Sequence, residues 1–225
     1  MDAEPRVGLF TFGTFSTFGT MGVMLDRDLL SRPSLVVAPR LLGARLTSTL
    51  DGARVTVEIT EVEAYQGAED PGSHAYRGQT ARNTVMFGPA GHLYVYFTYG
   101  MHWCANVVTG TAGTASGCLL RGARVVEGID VARARRPAAT KDRDLARGPA
   151  RLASALGITG AWGGHDLAIE PLRLELPQRP AVEVRTGPRV GLAGPGGDGE
   201  NYPWRFWVAG DPTVSVYRPA VARKR

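Results

Sequence analysis

The stretch ARVTVEITEVEAY (53–65) constrains this chain most. Its odd positions are Val55, Val57, Ile59, Glu61, Glu63 and Tyr65; its even positions are Thr56, Glu58, Thr60, Val62 and Ala64. Side chains alternate faces along a strand, so an apolar face runs straight into two carboxylates and a tyrosine. In an unbulged strand Glu61 and Glu63 point where the core points. Desolvation raises a carboxyl pKa, which is how general acids and bases are made. The competing reading is that one or both pair with an arginine. Two glutamates at i and i+2 on one face cannot stand on opposite sides of a bond, as glycoside hydrolysis requires.

The rest of the chain is short elements between breakers. Gly (29) and Pro (15) make up about a fifth of it, against roughly an eighth on average, which excludes a helical bundle, a coiled coil or a solenoid. Residues 34–42 predict a short helix closed by Gly43, with Pro39 inside it at the cost of a hydrogen bond. Residues 44–50 and 53–65 predict a hairpin whose Asp51-Gly52 turn supplies the positive φ of type I′. Residues 66–91 predict a long irregular loop, of the kind that is functional or disordered. Further strands are predicted at 93–98, 102–108, 116–124, 204–208 and 213–217, and helices at 127–136 and 149–156, the second ended by Gly157. No second domain boundary is visible. The predicted organisation is a low-complexity, disordered extension (1–24), a folded domain (25–218) and a basic tail (219–225).

The N-terminal run VGLFTFGTFSTFGTMGVML (7–25) is uncharged, but nine of its nineteen residues are Gly, Ser or Thr, too polar for a membrane span. Asp2 and Glu4 spoil a basic leader and no A-x-A site follows; Met21 or Met24 are alternative starts. The net charge is +5 and the basic residues are 24 Arg and 2 Lys. Residues 121–151 hold nine basic and four acidic side chains, which favours nucleic acid over a membrane surface. The arginine bias has two readings, GC-rich coding and phosphate recognition by the guanidinium fork. Cys104 and Cys118 are too few for a disulfide scaffold or a four-cysteine metal site; they read as small core residues in a reducing cytoplasm.

Five of the seven tyrosines (65, 76, 94, 96 and 99) fall within 35 residues, a pattern that fits a stacking platform for planar bases or simple core packing. His74, His92 and His102 share the region without H-E-x-x-H or paired-cysteine spacing, so no metal is expected. No Walker loop or G-x-G-x-x-G is present, so no nucleotide cofactor is expected either.

Residues 61–108, EVEAYQGAEDPGSHAYRGQTARNTVMFGPAGHLYVYFTYGMHWCANVV, resemble the central segment of the alkyladenine (3-methyladenine) DNA glycosylases. LLRGARVVEG (119–128), DLARGPARLASALGI (144–158) and PRVGLAG with PWRFWVAGDPTVS (188–215) continue the likeness in order, over roughly residues 30–217. The resemblance implies an α+β fold: one mixed domain with a curved antiparallel sheet and peripheral helices, without a helix-hairpin-helix. It implies no cofactor, no lyase step, a monomer, and double-stranded DNA carrying damaged purines as partner. By the same resemblance Glu63 is the general base, Tyr65 stacks on one face of a flipped base, and His74 and Tyr96 take the other. Tyr99 wedges into the minor groove. Asn106 crowds the exocyclic amino group of guanine. Arg121 and the carbonyl of Val190 lie by the attacking water. The chain departs from the family pattern at Ala81, Thr84 and Pro39.

The expected chemistry is excision of 3-methyladenine, 7-methylguanine, hypoxanthine or ethenoadenine after the nucleotide rotates out of the stack. A basic nucleic-acid-binding module without catalysis is the alternative; it has no use for Glu63 on a buried face. A small-molecule hydrolase using Glu61 and Glu63 is the third reading.

Overall fold

The computed structural model describes residues 25–98, 100–181 and 183–220. The predicted extension (1–24), residue 99 and the last five residues of the basic tail lie outside them. Eight strands form one antiparallel sheet: β1 (Arg45–Ser48), β2 (Val55–Tyr65), β3 (Leu93–Thr98), β4 (His102–Val108), β5 (Gly117–Glu127), β6 (Leu172–Glu175), β7 (Val184–Gly187) and β8 (Arg205–Val208). The order is β3-β4-β5-β2-β1-β6, with β8 also on β2 and β7 on β8. β2 is the organising strand. One edge pairs along its length with β5, while the other is shared end to end by β1, opposite 55–58, and β8, opposite 61–63. The sheet curls; the helices α2 (Ser34–Leu41), α3 (Ile129–Arg135) and α4 (Pro149–Leu156) lie against it, and α1 (Arg27–Leu30) packs on α2.

Two irregularities in the β2–β5 ladder decide which side chains reach the core. Ile59 pairs with Ala123, Glu61 with Gly122, and Val62 with Leu120. Thr60 is thus the extra residue on β2 and Arg121 the extra residue on β5. Before the bulge the odd residues Val55, Val57 and Ile59 join the apolar core; after it the even residues Val62 and Ala64 do. The unbulged expectation is therefore corrected. Glu63 and Tyr65 face away from the core, and other parts of the chain bury the carboxylates.

Beneath the sheet, Val37, Ala38 and Leu41 of α2 and Leu152, Ala153 and Leu156 of α4 complete this core. Their spacing gives each helix one apolar stripe, and each large buried side chain contributes about 1.5–3 kcal/mol. Pro39 sits inside α2 without ending it. Pro149 opens α4 and Gly157, at φ 74°, closes it. At the hairpin, Asp51 and Gly52 have φ of 56° and 70°, and the Ala53 N–H donates to the Leu50 carbonyl, as a type I′ turn requires. β1 is shorter than its predicted strand because the turn begins at Leu50.

Three further expectations change. The predicted helix at 127–136 starts only at Ile129, because β5 continues through Glu127, whose carboxylate accepts from Thr56 Oγ1 at 2.9 Å. Gly128 then turns the chain at φ 72°, where a Cβ would collide with the Arg54 carbonyl. The predicted strand at 213–217 does not form. Its polar groups go to side chains instead: the Ser215 N–H donates to Glu61 and the Val214 carbonyl accepts from Arg147. Residues 66–91 are irregular as predicted, but they are pinned by buried Asp70, Ser73 and Asn83. Among the described residues no helix is long and apolar enough to cross a membrane.

Candidate active site

The face of the sheet opposite the core carries a row of residues in register across five strands. Tyr94 on β3 pairs with Asn106 on β4, Asn106 with Leu119 on β5, Leu119 with Glu63 on β2, and Glu63 with Arg205 on β8. A cavity of about 240 Å³ opens on this row. That is below the ~300 Å³ at which pockets for drug-sized ligands begin, and it suits a single flat bicyclic ring. Glu63, Tyr65, His74, Tyr96, Asn106, Arg121 and Val190 all line it. Seven of the eight site residues expected from sequence thus converge, although they span 128 positions of chain. The eighth, Tyr99, lies outside the described residues.

Glu63 forms the floor. It is 1% exposed. Its Oε1 accepts from the Val190 N–H at 2.7 Å and lies 3.4 Å from Arg121 Nη1, while its Oε2 accepts from the Tyr65 hydroxyl at 2.8 Å. A bulged residue is re-aimed relative to its strand, and this lets Arg121 of β5 reach both glutamates. Burial opposes its charge, but the carboxylates of Glu63 and Glu61 more than reverse this and hold the guanidinium pKa up. Burial, then the charge of Glu63, pushes the Tyr65 phenol well above its ordinary range. Tyr65 is therefore a fixed donor to Glu63.

Glu61 is spent on structure. Its Oε1 accepts from Arg121 Nε (3.1 Å), Arg205 Nε (2.7 Å) and Ser215 Oγ (2.8 Å), and its Oε2 from the Ser215 N–H (2.6 Å). It does not line the cavity. Both glutamates pair with arginine, as the competing reading allowed: Glu63 with Arg121, and Glu61, which stands behind it, with Arg121 and Arg205.

The side wall is aromatic. Tyr94 and Tyr96 stack with centroids 5.8 Å apart, and His74 meets Tyr96 edge-on at 4.6 Å. His74 comes from the irregular loop and is held there twice. Its Nδ1 is 3.1 Å from the Tyr94 hydroxyl, and buried Asn83 donates to its carbonyl and to that of Gly78, at 3.0 Å each. Burial, followed by the charge of Arg82, lowers the His74 pKa. Asn106 is 5% exposed and donates to the Tyr94 carbonyl at 3.2 Å, which fixes its carboxamide against the cavity. Cys118 is in the core as expected, but Cys104 lines the cavity beside Tyr96.

Two residues that carry the site were not singled out in the sequence. Arg189, 1% exposed, forms a bidentate pair with Asp70 (2.6 Å for both contacts) and also donates to the Ala64 and Gly196 carbonyls. It ties the loop, β2 and the 195–197 turn together immediately before Val190. The available signals were the Asp70-Pro71-Gly72 turn and the lack of side chains at Gly72, where a Cβ would strike the Arg189 guanidinium, and at Gly196, where it would strike the Gly72 backbone. Among the described residues no three His, Cys, Asp or Glu side chains gather as a metal ion would need.

A family model described as Methylpurine-DNA glycosylase (MPG) matches residues 28–212. The chain is 52% identical over 205 residues to a protein of Streptomyces avermitilis, covering 89% of this chain and 95% of the relative. It is 54% identical over 197 residues to one of Leifsonia xyli subsp. xyli, covering 85% and 92%. It is 50% identical over 205 residues to one of Nocardia farcinica, covering 84% and 92%. All three bear the name "Putative 3-methyladenine DNA glycosylase".

Proposed function

The chain belongs to the methylpurine-DNA glycosylase family, and from that premise we propose that it is a DNA-repair enzyme. It rotates a damaged purine nucleotide out of the duplex and hydrolyses the N-glycosidic bond, leaving an abasic site. The observation that carries this reading is a buried carboxylate, Glu63, on the floor of a cavity walled by aromatic rings and sized for one base. A module that only bound nucleic acid would have no use for that group, because a buried carboxylate repels the phosphates such a module must attract.

A base inside a duplex is out of reach, and extruding it costs a few kcal/mol. Tyr99 offsets this by filling the vacated stack, as wedge side chains do. The extruded purine lies between Tyr65 on one side and His74 with Tyr96 on the other. Glu63 takes a proton from a water that attacks C1′. Arg121 and the Val190 carbonyl orient that water. The substrates are 3-methyladenine, 7-methylguanine, hypoxanthine and ethenoadenine. N-alkylated purines are cationic, so they leave readily and are drawn to tyrosine faces. Local positive charge at 121–151 supplies phosphate contacts.

The test is a duplex carrying one hypoxanthine or ethenoadenine, incubated with the protein and then treated with alkali. Strand cleavage at the lesion is expected. Glu63→Gln should bind the damaged duplex normally and lose on the order of 10²–10⁴-fold in excision rate. Single-turnover excision within threefold of wild type would remove Glu63 from its role.

A further inference from the structure

Tyr65 has two ring faces, and only one belongs to the cavity. Against the other lies Arg189, its guanidinium carbon 4.6 Å from the ring centroid. Arg189 does not line the cavity. Two more rings, Trp204 at 5.3 Å and Tyr202 at 5.9 Å, close in on the same guanidinium. It is thus a desolvated cation held directly behind the stacking platform. A cation on one face of an aromatic ring draws on the same quadrupole that a cation on the other face would use. Left alone, Arg189 would oppose a positively charged base. Asp70, 0% exposed, cancels that charge through two 2.6 Å contacts and is itself fixed by the Gly72 N–H at 2.8 Å.

We propose that Asp70 is a specificity-determining residue that acts through Arg189 and Tyr65. By neutralising the guanidinium behind the ring, it keeps the cavity face of Tyr65 open to cationic purines. The inference rests on the glycosylase reading above and deepens it. Asp70 touches no substrate and is a positioning residue in this role.

The size of the effect follows from distance. A stacked base lies ~3.5 Å beyond the ring, so its charge is about 8 Å from the guanidinium. At an effective dielectric near 20, one uncompensated charge at that range shifts a binding ratio on the order of 10- to 30-fold. Arginine keeps its proton at all working pH, so Asp70→Asn leaves the positive charge in place. A carboxylate partner of Arg189→Gln could instead escape by protonation, and this makes the Asp70 variant the cleaner probe.

The experiment measures single-turnover excision of 7-methylguanine, a cationic base, and of hypoxanthine, a neutral one, in matched duplexes. For Asp70→Asn the cationic-to-neutral ratio is expected to fall at least fivefold. Asp70→Ser takes its place if the Asn variant does not fold. General damage to the site has the opposite sign. A cationic base leaves with less help, so a misplaced Val190 or Glu63 slows hypoxanthine more and raises the ratio. The double variant Asp70→Asn with Arg189→Gln removes both charges and should bring the ratio to within threefold of wild type. An unchanged or raised ratio in the single variant, or a lowered ratio that persists in the double variant, overturns the proposal. Wild-type protein that excises neither base refutes the glycosylase reading instead.

Discussion

Replacing Glu61 by glutamine separates the two carboxylates of β2. Glu61 is 0% exposed and receives four hydrogen bonds, two of them from the buried guanidinium groups of Arg121 and Arg205. Removing one partner of a buried ion pair costs about 3–5 kcal/mol. Glutamine keeps one oxygen, which can still serve the two arginines. Its amide nitrogen must then face the Ser215 N–H, and one unsatisfied buried donor costs about 1–3 kcal/mol. A loss of about 3–5 kcal/mol is therefore expected. For a chain of this size each kcal/mol moves the melting point by about 2–4 °C, so Tm should fall by roughly 6–20 °C. Excision should suffer less. Glu61 lies outside the cavity and is linked to Glu63 through Arg121, which keeps its contact with Glu63. Thermal unfolding by circular dichroism, paired with single-turnover excision well below the transition, measures both. A drop in Tm with excision within about tenfold of wild type is expected, against the 10²–10⁴-fold loss for a general base. An unchanged Tm with excision abolished would exchange the roles of the two glutamates and refute the reasoning.

Asn106→Ser shortens the side chain held on the Tyr94 carbonyl and should let the variant excise guanine from G·T mismatches; a competition against hypoxanthine·T duplexes reads the ratio, which should rise above wild type. Affinity for damaged duplex should fall steeply with salt, with a log–log slope on the order of −3 to −6, and a flat titration would speak against phosphate contacts. The folded-state pKa of His74 lies below its unfolded value, so the unfolded chain binds the proton first. Its contribution to stability is full above the ordinary imidazole pKa of about 6.5 and is lost as pH falls through the depressed value. Arg82→Ala removes the second cause of that depression and should raise the His74 titration midpoint measured by NMR; an unmoved midpoint would leave burial as the whole cause.

Local patterns in the sequence carried much of the fold. Alternation located β2 and β3, Asp51-Gly52 located the hairpin turn, and Gly157 located the end of α4. What escaped depends on contacts across the chain. Alternation alone cannot reveal that Thr60 and Arg121 are extra residues in opposing strands, since a bulge is a property of the pairing. TVSVY alternates like a strand, yet Ser215 donates to Glu61, 154 positions away, instead of to a neighbouring ladder. Gly128 read as helix because the residues after it are helical; only the nearby Arg54 carbonyl shows why a glycine must turn the chain there. Seven of the cavity residues were legible through family likeness, residue by residue. Asp70 and Arg189 were not, because each is an ordinary charged side chain until 119 positions of chain bring them together.

The paired bulges make strand length a heritable quantity in its own right. A missense change at Thr60 alters one side chain, which bonds only Thr213. Losing the codon altogether would make Ile59 and Glu61 successive residues of an unbulged strand, on opposite faces as they already are, so Val62 and Ala64 would stay in the core and Glu63 and Tyr65 on the cavity side. Gaining a codon between Val62 and Glu63, with the bulge kept, is the change that reverses the faces: Glu63 and Tyr65 would then be driven among Leu120 and Cys118. An in-frame insertion of three nucleotides there, which leaves the composition almost untouched, would thus undo the site more completely than most single substitutions within it, whereas the loss of Thr60 should be borne.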